Sequence, residues 1–229
     1  MNIINCLLNL LFPPRCVSCK TEGDFLCSQC IQKFQKQKIR SHSASKLHQI
    51  SEFQHLDGVI YALDYAKNPQ IKAALQQFKY RFTQELVDYF GDLIAEKLEE
   101  CQMIRGRGIV LIPVPLHPKR LRYRGFNQAE VIARSIQEKT PQKIEIIETL
   151  IRTRHTSQQA KLGKKERHEN LSDAFNMNLK LPQKYDSNQV HFIVDDVCTT
   201  GSTLENCAKV LKFNGYKRVY GLVVARAFK

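Results

Sequence analysis

The segment HFIVDDVCTTGSTLENCAKVLKF, residues 191–213, constrains the fold more tightly than any other part of the chain. It opens on an apolar run of the kind that makes a buried strand, over residues 190–194. It closes on a helical pattern over residues 203–213, with Leu204, Ala208 and Leu211 facing inward and Gly215 where a C-terminal cap belongs. Between the two lie a pair of adjacent acids and the polar run TTGST, which bury nothing. A strand that turns through such a loop into a helix is half of a strand–helix–strand unit. RVYGLVVA, residues 218–225, supplies the closing strand.

The preceding residues alternate in the same way. GVIYALDY, residues 58–65, is rich in β-formers, and Asn68-Pro69 then opens a helix with Ile71, Ala74, Leu75 and Phe78 at helical spacing. A second helix is expected over residues 83–100 and a short buried parallel strand over 109–113. Asn127 can cap a helix that begins at Gln128, with Glu130 three residues after the cap and Ala129, Ile132, Ala133 and Ile136 as its buried stripe. Residues 144–151 are a further strand candidate. In 229 residues this pattern predicts one α/β domain, a parallel sheet with flanking helices and ligand sites at the carboxyl ends of its strands.

That prediction gives the acid pair a setting. TTGST falls at a helix N-terminus, where unpaired backbone N–H groups and the helix dipole attract an anion. Gly201 lets the backbone approach closely, and the hydroxyls of Thr199, Thr200, Ser202 and Thr203 can donate to phosphate oxygens. No GKS or GKT is present, so this is not a Walker loop. Asp195 and Asp196 cannot be phosphate ligands. They suit vicinal hydroxyls and can reach a Mg²⁺ directly or through water. Phosphate at the loop and hydroxyls just upstream describe a ribose-5-phosphate.

Four of the eight cysteines form CVSC-x7-CSQC: Cys16, Cys19, Cys27 and Cys30. Two CxxC knuckles present four thiolates to one tetrahedral Zn²⁺, and Gly23-Asp24 between them is a turn that folds one knuckle onto the other. With no further ligand candidate the site is structural. Residues 31–39 are expected to be helical, followed by a polar linker. His42, His48 and His55 lack ligand spacing and are expected at the surface. Cys198 is expected to be a small buried hydrophobe, and Cys6, Cys101 and Cys207 ordinary core or surface thiols. The chain divides into residues 1–45, an N-terminal helix, zinc module and linker, and 46–229, the α/β domain.

The net charge of +13 is concentrated. Residues 117–126 hold Lys119, Arg120, Arg122 and Arg124 with no acid, and residues 151–170 hold Arg152, Arg154, Lys161, Lys164, Lys165 and Arg167. Both stretches lack apolar periodicity and read as loops. Such charge fits polyanionic partners or, equally, a solubilising surface. MNIINCLLNLLFPP has no basic start and no cleavage site, and no run is long enough to span a bilayer, so a cytoplasmic protein without a transmembrane segment is expected.

HFIVDDVCTTGST resembles the phosphoribosyl-pyrophosphate (PRPP) motif of type I phosphoribosyltransferases, in which two acids hold the ribose hydroxyls and the following loop holds the 5′-phosphate. IPVPLHPKRLRYRGFNQAEVIAR, residues 112–134, and RTRHTSQ…RHEN…AF, from Arg152 to Phe175, resemble the ComF family. Its members are competence-associated proteins that join a four-cysteine zinc finger to a phosphoribosyltransferase-like domain. The LLFPPRC lead into the first knuckle is similar too, and residues 35–56 and 176–188 match least.

The resemblance implies a type I phosphoribosyltransferase-like parallel sheet and a site for PRPP with Mg²⁺. It assigns Arg120, Arg124, Gly125 and Asn127 to the pyrophosphate loop, and makes 152–170 the loop that closes over PRPP, with Arg152 and Arg167 as catalytic candidates beside Gln158 and Asn170. The purine-salvage enzymes carry an acid, their presumed base, where this chain has Thr199, so hypoxanthine or guanine salvage is disfavoured and turnover is open. Three roles stay open. The first is handling of single-stranded DNA in natural transformation, alongside an uptake helicase or other competence proteins at the membrane machinery. The second is a metabolic transferase with another acceptor. The third is a non-catalytic PRPP sensor that binds nucleic acid or a partner. Tyr80, Phe82, Tyr123 and Phe126 lie near the basic residues, as stacking platforms or as core.

Overall fold

The computed structural model describes residues 13–32, 53–66, 69–80, 82–101, 104–153, 174–180 and 189–227. The expected N-terminal helix, the linker, Cys6, His42, His48 and the segment holding Gln158, Arg167 and Asn170 lie outside them. Among the described residues, no helix is long and apolar enough to cross a membrane.

Five parallel strands form the main sheet in the order β1-β7-β6-β2-β3. In chain order the elements are β1 (Val59–Asp64), α1 (Pro69–Phe78), α2 (Gln84–Glu99), β2 (Ile109–Pro113), α3 (Pro118–Arg124), α4 (Gln128–Lys139) and β3 (Ile144–Ile146). There follow β4 (Leu150–Arg152), β5 (Phe175–Met177), β6 (Val190–Cys198), α5 (Ser202–Phe213) and β7 (Val219–Arg226). The helical stripes read from spacing are the buried ones: Ile71, Ala74, Leu75 and Phe78 on α1, and Ala129, Ile132, Ala133 and Ile136 on α4. Asn127 caps α4 by accepting the Ala129 N–H, and Gly215 follows α5 with φ of 93°, a conformation that suits glycine.

The sheet is covered on both faces, which is why its strands read as continuous apolar runs. One face packs Phe192 and Val194 of β6 with α1, α2 and α4, and Cys16, Val17, Leu26 and Cys30 of the four-cysteine module belong to the same apolar cluster. The other face packs Ile193 with Leu204, Ala208 and Leu211 of α5 and with Leu150, Phe175 and Met177.

Three expectations change. Residues 144–151 are not one strand. Ile144–Ile146 pairs with β2, whereas Leu150–Arg152 leaves the sheet and pairs antiparallel with Phe175–Met177, a strand not foreseen. The polar Glu148-Thr149 step separates two short apolar runs that face different partners. Residues 118–124 are a helix, not loop: His117 caps it, Pro118 fits its first position, and Gly125 ends it in the left-handed conformation at φ of 81°. None of its residues is buried, so no apolar stripe announces it. Finally, β6 runs to Cys198 instead of stopping at Val194, and so carries the acid pair inside the strand.

Candidate functional site

The four cysteine sulfurs all lie within 4.8 Å of one another, with Cys19 and Cys27 Sγ 3.6 Å apart. Zn–S bonds of about 2.3 Å place tetrahedral thiolates about 3.8 Å apart, so the cluster fits a structural metal such as zinc. Lys20 N donates to Cys16 O at 2.9 Å and Ile31 N to Cys27 O at 3.0 Å, the tight turns that the two-residue spacing requires. The Thr21 hydroxyl, 3.1 Å from Cys19 Sγ, pulls that thiol down to about 6, which favours the thiolate a metal needs. The four donors are on one knot of chain, as the spacing predicts.

The second site forms where the sheet changes direction. β2 continues through α4 to β3 on one side, and β6 continues through α5 to β7 on the other, so the carboxyl ends of β2 and β6 border a crevice. The β2–β6 ladder ends at the pair Pro113↔Val194, while β6 stays paired to β7 as far as Cys198↔Arg226. Asp195 and Asp196 therefore stand on a strand with one open edge. Asp195 Oδ1 accepts the Asp196 N–H at 2.8 Å, beyond the end of the β2 ladder.

Strand alternation separates the two carboxylates. Asp196, 6% exposed, shares the face of Phe192 and Val194, and its Oδ2 meets Lys79 Nζ at 3.1 Å just past the end of α1. Burial works against charge on Lys79, but the attraction of Asp196 and then Asp195 outweighs it and raises the ammonium's pKa. Asp195 takes the opposite face, where it acts on Arg152 and on the buried Cys207. Burial first, and the Asp196 charge second, push Asp195 up to about 7.

Three arginines converge on the same crevice. Arg120 and Arg124 stand one turn apart on α3, and Arg152 ends β4 with its guanidinium 5.1 Å from the Phe175 ring. Burial lowers Arg120 and Arg152 from the ordinary guanidinium value. Arg124 lowers Arg120 further, and Arg120 lowers Arg152. An anion placed among them relieves both effects. Gly125 and Asn127 shape the region instead: Gly125 closes α3, and Asn127 Nδ2 donates to Val114 O at 3.1 Å, which anchors the loop after β2. A cavity of about 220 Å³ opens beside that loop, lined by Pro115, Leu116, Leu121, Asn127 and Arg152 among others.

The loop after β6 has Thr199 exposed, and Thr200 Oγ1 lies 2.9 Å from Ser202 Oγ. Gly201 is the N-cap of α5 at φ of 77° and has no side chain to cap the helix; Thr200 Oγ1 accepts the Ser202 N–H at 3.4 Å, and the amides beyond it and the hydroxyls are the donors the position offers an anion. A Cβ at Gly201 would run into the ring of Phe53, so glycine is required twice over. Cys198 is buried, and burial raises its thiol to about 11, as befits a hydrophobe and not a nucleophile.

The structure thus brings together Asp195, Asp196, Thr199, Thr200, Gly201, Ser202, Thr203, Arg120, Arg124 and Arg152, and Arg167 lies outside the described residues. Sequence reasoning missed Lys79, Phe53 and Glu205. Glu205 in the first turn of α5 accepts the N–H of Gln54 (3.0 Å), His55 (2.9 Å) and Leu56 (3.1 Å), and His55 Nδ1 lies 2.8 Å from it. The pattern Ser202-Thr203-Leu204-Glu205 has the form of a capping box and marks Glu205 as a clamp of backbone donors, though not of which ones. Lys79 follows the last buried residue of α1 and carries no local signal.

Fold and site define an α/β protein with a parallel sheet, a crevice at its switch point and a four-cysteine module ahead of it. No family model matches the chain. It is 29% identical over 206 residues to DNA utilization protein YhgH of Escherichia coli O157:H7, covering 88% of this chain and 78% of that protein. Against Competence protein F of Haemophilus influenzae the identity is 34% over 119 residues, 51% of this chain and 50% of the relative. Competence protein ComFC of Bacillus subtilis is 28% identical over 151 residues, 66% and 57% of the two chains. The chain is thus similar to proteins named for DNA utilization and competence, ComFC among them, at 28–34% identity.

Proposed function

We propose that the chain binds PRPP at the carboxyl end of β6 and serves the handling of single-stranded DNA during DNA uptake. The observation that carries the ligand is the acid pair on an open strand edge, facing three mutually repelling arginines and followed by a helix N-terminus capped by a glycine. The DNA role is supported by the names of the relatives, which state DNA utilization and competence, and by the exposed basic helix α3.

In this reading the hydroxyls of Thr199, Thr200, Ser202 and Thr203 and the first amides of α5 hold the 5′-phosphate. Asp195 and Asp196 each accept from a ribose hydroxyl on their own side of the strand. Arg120, Arg124 and Arg152 neutralise the diphosphate, and Arg167, outside the described residues, is the further cation that the family resemblance assigns to this role. Mg²⁺, when bound, shares in that neutralisation, and the two aspartates would hold it directly or through water. Thr199 is a hydroxyl, not a carboxylate base, so any transfer uses an acceptor that needs no such base. A cytoplasmic setting beside an uptake helicase fits this role.

Calorimetric titration of PRPP with Mg²⁺ tests the assignment. Wild type should bind, and Asp195→Asn/Asp196→Asn should lose at least about a hundredfold in affinity, since each of the two charged hydrogen bonds contributes about 1.5–3 kcal/mol. Absence of heat with wild type sinks the ligand assignment. Release of pyrophosphate in the presence of an acceptor separates a transferase from a sensor.

A further inference from the structure

Lys79 and Tyr80 are neighbours that serve opposite sides. Lys79 turns inward to Asp196, while Tyr80 is 58% exposed and Phe82, two residues on, 49%; Tyr123, the chain neighbour of Arg124 on α3, is 80% exposed. Large aromatic rings left in water beside cations are a surface suited to stacking. Two of the three are held in place. Tyr80 N donates to Gln77 O at 2.9 Å, and Phe82 packs edge-on against Phe126 at 5.3 Å, which in turn packs on the buried Phe78 at 5.6 Å.

The Arg124 guanidinium lies 5.8 Å from the centre of the Tyr80 ring. It also donates to Gln128 Oε1 at 3.0 Å, and the buried Gln128 donates from Nε2 to Lys79 O at 3.1 Å. The aromatic surface and the acid-pair crevice are thus joined through one guanidinium and one buried amide. Arg124 is a cation of both.

We propose that Tyr80, Phe82 and Tyr123, with the cations of α3, form a stacking surface for single-stranded nucleic acid that shares Arg120 and Arg124 with the diphosphate of PRPP, so that strand and PRPP exclude one another. The occupant follows from the chemistry of the surface. Residues 117–126 have four cations and no acid, which fits a phosphate backbone, and exposed aromatic rings fit unpaired bases but not the edge of a duplex. Exclusion follows from charge: the two guanidinium groups cannot neutralise a strand phosphate and a diphosphate at once. This inference rests on the phosphoribosyl reading above.

The test is fluorescence anisotropy of a labelled oligo(dT) on the full chain at constant salt. Saturating PRPP with Mg²⁺ should weaken oligonucleotide binding by about tenfold, and saturating oligonucleotide should weaken PRPP equally, because linkage is reciprocal. Ribose-5-phosphate, which reaches the acid pair and the loop but has no diphosphate, should leave the oligonucleotide bound. Tyr80→Ala should cost about tenfold in oligonucleotide affinity, with Tyr80→Phe restoring it and PRPP affinity unchanged in both. PRPP that binds without moving the oligonucleotide overturns the exclusion alone, whereas PRPP that fails to bind overturns the phosphoribosyl reading with it. Duplex bound as tightly as single strand, or Tyr80→Ala without effect, overturns the stacking surface.

Discussion

Asp195 and Asp196 look like a unit in the sequence, yet one residue of strand alternation gives each its own electrostatic problem. Asp196 is buried against Lys79, and the pair at 3.1 Å lets a carboxylate exist beneath the surface. Asp195, on the other face, is raised from 3.8 to about 7, by burial first and by Asp196 second. Folded Asp195 thus keeps a proton that an unfolded aspartate has already lost, so the folded state binds more protons between those two values. Stability without ligand is greatest below about pH 4 as far as this group is concerned and declines as the pH rises through 7. Asp195→Asn should flatten that decline and be more stable than wild type at about pH 8, measured by urea unfolding across pH in metal-free buffer. Parallel profiles for the two proteins would refute it. A site whose empty form is strained by its own charge gains most from a ligand that supplies hydroxyl donors and cations.

The helix α5 shows how an element can do two tasks with one terminus. Its first amides face the loop of Thr199 to Ser202, and its Glu205 holds the backbone of residues 54–56 above that loop, with the Phe53 ring against Gly201. Glu205→Ala leaves three N–H groups without their acceptor and should cost about 2–3 kcal/mol, seen as a lower urea midpoint with faster amide exchange at residues 54–56. Glu205→Gln should recover part of the loss, since its amide oxygen still accepts. An unchanged midpoint would mean that the strap contributes nothing. The helix α3 presents the opposite case, an element with no buried residue that exists because His117 and Pro118 start it and Gly125 stops it. In place of a buried stripe it carries Lys119, Arg120, Arg122 and Arg124.

At the scale of the molecule, the four-cysteine module shares an apolar cluster with the α/β body: Cys16, Val17, Leu26 and Cys30 pack in the same cluster as β1, α1 and α2. We propose that the two parts, divided in sequence near residue 45, unfold together. Chelation of the metal should then lower the melting temperature of the whole protein in a single transition, because binding energy on the order of 10–16 kcal/mol couples to folding. Two separate transitions after chelation, with the upper one unmoved, would show the module to be an independent appendage.

The sequence by itself determined whatever local physics writes into a few consecutive residues. Apolar runs marked β1, β2, β6 and β7, helical spacing marked α1 and α4 with their buried stripes, Asn127 marked a cap, and CxxC twice marked one four-cysteine cluster. The polar run TTGST marked the turn from β6 into α5. Only the tertiary structure decided which distant residues complete it. Lys79 reaches Asp196 from the end of α1, Glu205 clamps residues 54–56, Phe53 closes over Gly201, and β4 leaves the sheet to pair with β5. These contacts join positions far apart in the chain, and their energy depends on the close approach that folding creates. No spacing along the chain records it.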